Sequence, residues 1–483
     1  QKNNRHQIRN REIDRYRNDS DFIDISNYVF ESDKKDKKAQ EKIQDKTESI
    51  KYDSIDRYWF QRRTWPMMIE QYEINNLPHP GVFAIKALTF FQYFIEQPKF
   101  KKYVQIFLAS TKQKTSVQYI VRLMNIVTLS FKGPNDKKMH TYSIANNDLS
   151  FRPLLEHLCT CPKRFRMVPN HSKNYTGIRS GPLFNFRDAY YVVLNWHFLY
   201  QKLYKGLVFD FYNRSGIKTE FRSLPDYFSL IGEQITEYRL FQPVMNHLLD
   251  KKYTTLEFDF EGGKTNAKPD LYYRDGNKIL LAELKDLTLP AETVSNYSFE
   301  SLSVQLEKKL IKNEAGANKG ILQLLNHIKQ INEGGLVYDP FEQRSVKKRN
   351  LKIFPVIVYT NFEFSLPGVE DYLRKRFEEE LKAYQSEAPW EIGKVHELVM
   401  INFDFFLRIL AGGEKINFFD LIRDYNINLG RRLRKFKKVP SAKLSLKLYP
   451  GFEWIHQDLL RKKNVDIETL FRVLEVDIGP LPK

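Results

Sequence analysis

The chain has 483 residues, 42% of them hydrophobic, which is long enough for two or three domains with cores of their own. Lys and Arg number 77 against 59 Asp and Glu, a formal charge of +18 that suits phosphate backbones, anionic membranes or acidic proteins without choosing among them. Two cysteines exclude a disulfide scaffold, and the most apolar stretch, Asp188 to Tyr212, is broken by Asn195, His197, Gln201 and Lys202, which excludes a simple bilayer span.

The numbering opens at Gln1 rather than Met, which leaves the true amino terminus open. The first residues, QKNNRHQIRNREIDRYRNDSD, lack the apolar h-region of a secretory peptide, so a soluble, cytoplasmic protein is expected. Residues 1–65, centred on ESDKKDKKAQEKIQDKTE, are too poor in apolar periodicity to form a core and read as a polar charged arm. From Tyr58 the texture turns aromatic, as in YWF, TWPMMIEQY and FAIKALTFFQYFI. Residues 66–225 are expected to form a mixed, mostly helical substrate or partner domain. SVQYIVRLMNIVTLSF and RDAYYVVLNWHFLYQKLYKGL space their apolar residues as helices do, whereas HTYSIANNDLSFRPL has the look of short strands and turns.

Residues 226–403 show a different order. SLPDYFSLIGEQITEYRLFQPVMNHLL reads as a helix, YTTLEFDFEGG as a strand, and KPDLYYRDGNKILLAELKD as a hairpin turning at Asp275-Gly276. An amphipathic helix follows in NKGILQLLNHIKQIN, a buried strand in KIFPVIVYTN, a helix in GVEDYLRKRFEEELKAYQ, and a further strand in HELVMIN. The order of helix, three strands, helix and strand predicts an α/β fold with a sheet flanked by helices. Residues 404–483 read as a basic helical extension. No internal repeat is present.

The hairpin carries the chemistry. Asp270 starts one of its strands and Glu283 ends the other, so the turn brings two carboxylates together, and hard divalent cations want such oxygen ligands. Glu283 and Lys285 are two apart and project from one face of their strand, while Leu284 points to the other. Lys285 can then orient water or stabilise charge developing on a phosphoryl oxygen, and the Leu284 main-chain carbonyl can add a metal ligand.

Pro269-Asp270 followed by Glu283-Leu284-Lys285 after a hairpin-length gap resembles the PD-(D/E)xK nuclease superfamily. The resemblance implies a restriction-endonuclease-like core, dependence on Mg²⁺ or Mn²⁺, and cleavage of DNA or, less often, RNA. It also implies an acid on the preceding helix, for which Glu237 is preferred and Glu233 held in reserve. In members similar to the RecB nucleases a glutamine stands on the helix after the lysine strand. Gln323 occupies that place, with Lys319 one turn before it and His327 where a tyrosine is usual. More loosely, a helical half followed by a nuclease is similar to the nuclease subunits of methylcytosine-specific restriction systems. That likeness implies a defence role beside a separate motor ATPase or GTPase, since no Walker-type GxxxxGK[ST] occurs in this chain.

Arg431, Arg432, Arg434 and Lys435, within RRLRKFKK, form a dense basic run that suits a phosphate backbone or plain solvation. Lys347, Lys348 and Arg349 are a weaker patch, and the group from Lys34 to Lys38 alternates with aspartates. His157, Cys159 and Cys161 make HLCTC, a zinc-like fragment with no second cluster, for which buried thiols are the simpler expectation. His140, His171, His197, His247 and His456 lack ligand spacing, and GxSxG is absent. The alternatives are a nucleic-acid-binding or assembly subunit that keeps the fold without cleaving, and a transposon or recombination endonuclease.

Overall fold

The structure is a computed structural model. It describes residues 79–130, 141–143, 149–160, 176–187, 190–249, 254–258, 268–290, 293, 299–334, 336, 338–339, 341, 346–366, 368–413, 416–436, 451–456, 459–460 and 466–477. The chain divides into two compact units, Gln1–Phe60 and Gln61–Lys483, and every described residue belongs to the second. The charged arm expected at residues 1–65, together with His140, His171, Cys161, Lys437 and Lys438, lies outside the described residues.

The second unit opens with α1 (Pro80–Glu96), α2 (Lys101–Ser110) and α3 (Ser116–Ser130). Pro80 sits at the start of α1, where its missing N–H costs nothing, and His79 caps the helix by accepting from the Gly81 N–H at 3.2 Å. A small antiparallel sheet comes next, in the order β1 (Thr141–Ser143), β3 (Tyr190–Val193), β2 (Leu183–Arg187). Around it lie the short helices α4 (Arg152–His157), α5 (Thr176–Ser180), α6 (Trp196–Gln201) and α7 (Lys205–Arg214). The helical reading of RDAYYVVLNWHFLYQKLYKGL is therefore corrected in its first half. Tyr191 and Val193 alternate inward with period two, as a strand requires.

The next helix, α8, is continuous through Leu224–Leu230, Ile231–Phe241 and Gln242–Leu248, but its middle is π-helical. The Gln242 N–H reaches back five residues to the Glu237 carbonyl. Its buried residues Ile231, Ile235, Thr236, Leu240 and Phe241 recur in steps of five, a spacing that a wider helix keeps on one face and an α-helix does not.

The central sheet is mixed, in the order β4 (Thr254–Glu257), β5 (Leu271–Asp275), β6 (Lys278–Lys285), β7 (Lys352–Tyr359), β8 (Lys394–Val395), with β9 (Val399–Asn402) also paired to β7. The strands β4, β5 and β6 run antiparallel, whereas β6, β7, β8 and β9 run parallel. The expected turn shifts by one residue: Asp275 still pairs with Lys278, and the loop is Gly276-Asn277, with Gly276 at φ +59°, a conformation glycine adopts without strain. Between β6 and β7 the chain forms α9 (Phe299–Leu310) and α10 (Gly320–Glu333). After β7 come α11 (Val369–Glu387), α12 (Phe403–Ala411), α13 (Phe418–Phe436), α14 (Phe452–Ile455) and α15 (Ile467–Val473).

Helices cover both faces of the sheet. Leu280, Ala282, Leu284, Phe354, Val356 and Val358 join one apolar cluster that runs from Val82 in α1 to Val476 after α15. The segments expected at 66–225, 226–403 and 404–483 all contribute to it. The opposite face carries α10, whose Ile321, Leu324, Leu325, Ile328 and Ile331 form the buried stripe of an amphipathic helix. Among the described residues no helix is long and apolar enough to cross a membrane.

Candidate active site

The β5–β6 hairpin and α10 build the site together. Leu271 pairs with Ala282, so Asp270 falls opposite Glu283 at the open end of the hairpin. The carboxylates meet through Lys285: its Nζ lies 2.8 Å from Glu283 Oε2 and 3.6 Å from Asp270 Oδ2. Asp270 Oδ2 also accepts the Leu284 N–H at 2.6 Å, which ties the acid of one strand to the backbone of the other. The Leu284 side chain turns into the core on the opposite face, as strand alternation demands, leaving its main chain at the site.

The helix α10 closes the site from above. His327 Nε2 donates to Glu283 Oε1 at 3.3 Å, so each oxygen of this carboxylate, only 2% exposed, has its own partner. A Cβ at Gly320 would come within 3.1 Å of the Leu310 carbonyl oxygen, so glycine lets the start of α10 pack closely on the end of α9, with Lys285 Cε in ordinary contact at 3.5 Å. Gln323 lies one turn before His327, with its Oε1 buried and accepting no hydrogen bond. Lys319, at the cap of α10, is partly buried and donates its N–H to the Ile311 carbonyl at 2.8 Å.

Electrostatics tie the three ionisable groups to one another. Burial alone would raise the Glu283 carboxyl, but the Lys285 ammonium and His327 outweigh it and hold the group below the ordinary carboxylate value. Lys285 is shifted the other way. Burial would lower it, and Glu283 and Asp270 overcome that and keep it protonated well above its usual range. In this state Lys285 is a fixed cation and not a base. Two carboxylates, Asp270 and Glu283, thus share the Lys285 ammonium.

The residues present suit a hard divalent cation: carboxylate oxygens from two strands already share a cation, and the Leu284 carbonyl lies between Glu283 and Lys285 in sequence. Among the described residues no three His, Cys, Asp or Glu side chains gather into a full metal cage. Two carboxylates completed by water and substrate phosphate are the usual ligation of Mg²⁺, which gives up its hydration reluctantly.

The helix α8 meets the end of β6 through Thr236, whose hydroxyl donates to Asp286 Oδ2 at 2.5 Å, while Thr360 at the end of β7 donates to Oδ1 at 2.5 Å. Glu237 is the next residue of α8 and partly buried. Glu233, the reserve candidate, is exposed, and its charge acts on Tyr93 of α1. Arg431 is exposed and Arg432 partly buried near the end of α13, a helix that also carries Arg434 and Lys435. Lys348 braces the loop before β7, donating to the Asn332 carbonyl at 3.0 Å and facing Glu391 at 3.2 Å. His157 is buried and neutral, pushed down to about 3 by burial and by the Arg214 and Lys202 cations; its Nδ1 accepts from Arg214 at 2.7 Å, and Asp210 lies 3.9 Å from its Nε2. The contact of His327 with Glu283 and the clasp on Asp286 lay beyond sequence reading, although AELKD displayed Asp286 directly after Lys285.

Compared with known proteins, the chain matches no family model, no curated protein and no solved structure.

Proposed function

We propose that the chain is a metal-dependent nuclease with a PD-(D/E)xK core, hydrolysing phosphodiester bonds of DNA. The observation that carries the reading is the meeting of Asp270 and Glu283 across one hairpin with Lys285 between them. A fold could use a surface hairpin salt bridge for stability, but such pairs are exposed and contribute little. Here Glu283 is 2% exposed, and burying a carboxylate is costly unless something is gained by it.

In this reading Asp270, Glu283 and the Leu284 carbonyl hold the ion, which supplies charge neutralisation at the phosphate and an acidified water. Lys285 keeps its proton and donates to the phosphoryl oxygens as negative charge builds on them. His327 fixes Glu283 through Oε1, which leaves Oε2 to the site. Gln323, whose buried Oε1 accepts no hydrogen bond, would orient water or substrate. The same reading gives the chain a cytoplasmic defence or restriction role beside a separate motor subunit.

The test is conversion of supercoiled, linear and single-stranded DNA, and of RNA, in Mg²⁺, Mn²⁺ or EDTA, by the wild-type chain and by Glu283→Ala. The reading expects metal-dependent cutting of DNA by the wild type that the variant loses. Cutting that persists in Glu283→Ala, or in EDTA, contradicts it.

A further inference from the structure

The amino ends of β6, β7 and β8 carry a row of lysines that takes no part in the site. Lys278, Lys352 and Lys394 are register partners across these parallel strands, so their side chains leave one face of the sheet side by side. Neighbouring strands stand about 4.8 Å apart, which makes the row roughly 10 Å long. Lys352 and Lys394 are exposed, and Lys278 is partly buried, with its Nζ 5.5 Å from the Phe419 ring of α13.

Like charges set directly opposite one another on a sheet destabilise it. Among the described residues no carboxylate forms an ion pair with any of the three. Glu391, just before β8, pairs with Lys348 at 3.2 Å, and Asp275, the hairpin partner of Lys278, is exposed. The charge of the row is felt within the fold: His396, stacked on Phe354 at 4.0 Å, is pushed down to about 4 by burial and then by Lys394 and Lys352.

The backbone beneath the row is knit together. The Lys352 N–H donates to the Asn277 carbonyl at 2.8 Å, Asn277 Nδ2 to the Asn350 carbonyl at 2.9 Å, and the Lys394 N–H to the Leu351 carbonyl at 3.0 Å. A Cβ at Gly393 would fall 2.1 Å from the Arg349 carbonyl oxygen, so glycine lets the start of β8 approach this loop. The loop adds two further exposed cations, Lys347 and Arg349.

We propose that Lys278, Lys352 and Lys394, with Lys347 and Arg349 beside them, form a docking surface for the phosphodiester backbone of a nucleic acid, separate from the site of cleavage. Ammonium groups bind phosphates as point charges, and a row of them meets a row of phosphates. The large hydrophobic residues exposed among the described ones, such as Ile106, Tyr190 and Val304, lie in other segments, so the surface lacks the apolar side chains that enter a lipid surface. Seven residues of β6 separate Lys278 from Lys285, about 23 Å of strand, so one phosphate cannot serve both places. The identity of the polyanion rests on the nuclease reading, but the test does not depend on cleavage.

That test is binding of a labelled DNA duplex in EDTA, followed by anisotropy across a salt series. Replacing Lys278, Lys352 and Lys394 together by Gln should weaken binding about tenfold and flatten the salt slope by about 0.9 for each phosphate no longer neutralised. Replacing the same three by Arg should preserve both. A charge-matched set elsewhere, the exposed Lys101, Lys114 and Lys218 replaced by Gln, should leave binding within about twofold of wild type. Equal losses from the two Gln sets overturn the surface, since diffuse charge then explains the binding. Unchanged binding in the row variant, or none by the wild type, also overturns it, as does a row variant that loses only its binding to phosphatidylserine vesicles. If the row results hold while the wild type cuts nothing in Mg²⁺ or Mn²⁺, the surface stands and the nuclease reading falls.

Discussion

Lys285 is a counter-ion whose removal exposes what it balances. With Lys285→Ala, Glu283 keeps its burial and loses its nearest positive charge, a change that costs about 3–5 kcal/mol when a buried pair is broken. On the proposed reading a divalent ion at the same carboxylates would replace that charge, so Mn²⁺ should raise the melting temperature of Lys285→Ala more than that of wild type. Equal metal effects on both proteins count against a shared cation position. The pH dependence follows from the same shifts. Glu283, held low, contributes stability present above its unfolded value near 4.5 and lost as pH falls through the lower folded value. Lys285, held high, contributes stability present below its unfolded value near 10.5 and lost as pH rises through the still higher folded one. Urea midpoints across pH should therefore fall in strong acid and strong alkali for the wild type, and Lys285→Ala should show a shallower alkaline fall, since buried tyrosines such as Tyr119 and Tyr200, held above their ordinary value by burial, still contribute to it. At this scale the sequence disclosed the acids and the lysine, because strand alternation and one turn place them. It hid His327 as a partner of Glu283, since that contact depends on how close α10 lies to β6.

Among the elements, the hairpin is clamped from its other end. Arg274 of β5 and Asp339 form a buried pair in which Nη2 donates to Oδ1 at 2.8 Å, and Tyr272 donates to Oδ2 at 2.6 Å. Asp339→Ala leaves Arg274 buried without its carboxylate and is expected to cost about 3–5 kcal/mol by chemical denaturation. A loss below about 1 kcal/mol, the scale of an exposed pair, shows that the clamp is not needed. The carboxyl ends of β7 and β9 hold a second, partly buried acid. Burial, with a contribution from Glu370, pushes the Glu453 carboxyl up to about 7 against the hydrogen bond from the Asn402 N–H. A carboxyl raised in the folded state loses stability as pH climbs from its unfolded value near 4.5 to about 7, and Glu453→Gln should remove that decline from a pH series of melting temperatures. The amphipathic helix α10, the buried strand β7 and the hairpin were legible from periodicity alone. The π-helical middle of α8 was not, because the five-residue recurrence of Ile231, Thr236 and Phe241 emerges only once their burial is known. Strand β3 was misread as helix because the aliphatics of RDAYYVVLNW run on into those of α6.

Across the whole molecule, one apolar cluster links α1 to the last helices and takes in one face of the central sheet. The aromatic residues of the first half, such as Phe90, Phe91, Phe94, Phe107 and Phe211, pack against each other inside it, so they are core. The approach of Arg179 Nη1 and Lys205 Nζ to Glu363 Oε1, at 3.9 and 3.7 Å, was not legible, since it joins positions far apart in the chain that no local pattern connects. Within this large frame the proposed chemistry depends on a far smaller place, where Asp270 and Glu283 take a divalent ion beside the Lys285 that now balances them. Counting bound Mn²⁺ by electron paramagnetic resonance, for the wild type and for the double variant Asp270→Ala with Glu283→Ala, tests this without any need for substrate or partner. Mn²⁺ should bind the wild type and be lost from the double variant. Equal binding by both proteins, or none by either, contradicts a metal-dependent site at these two carboxylates.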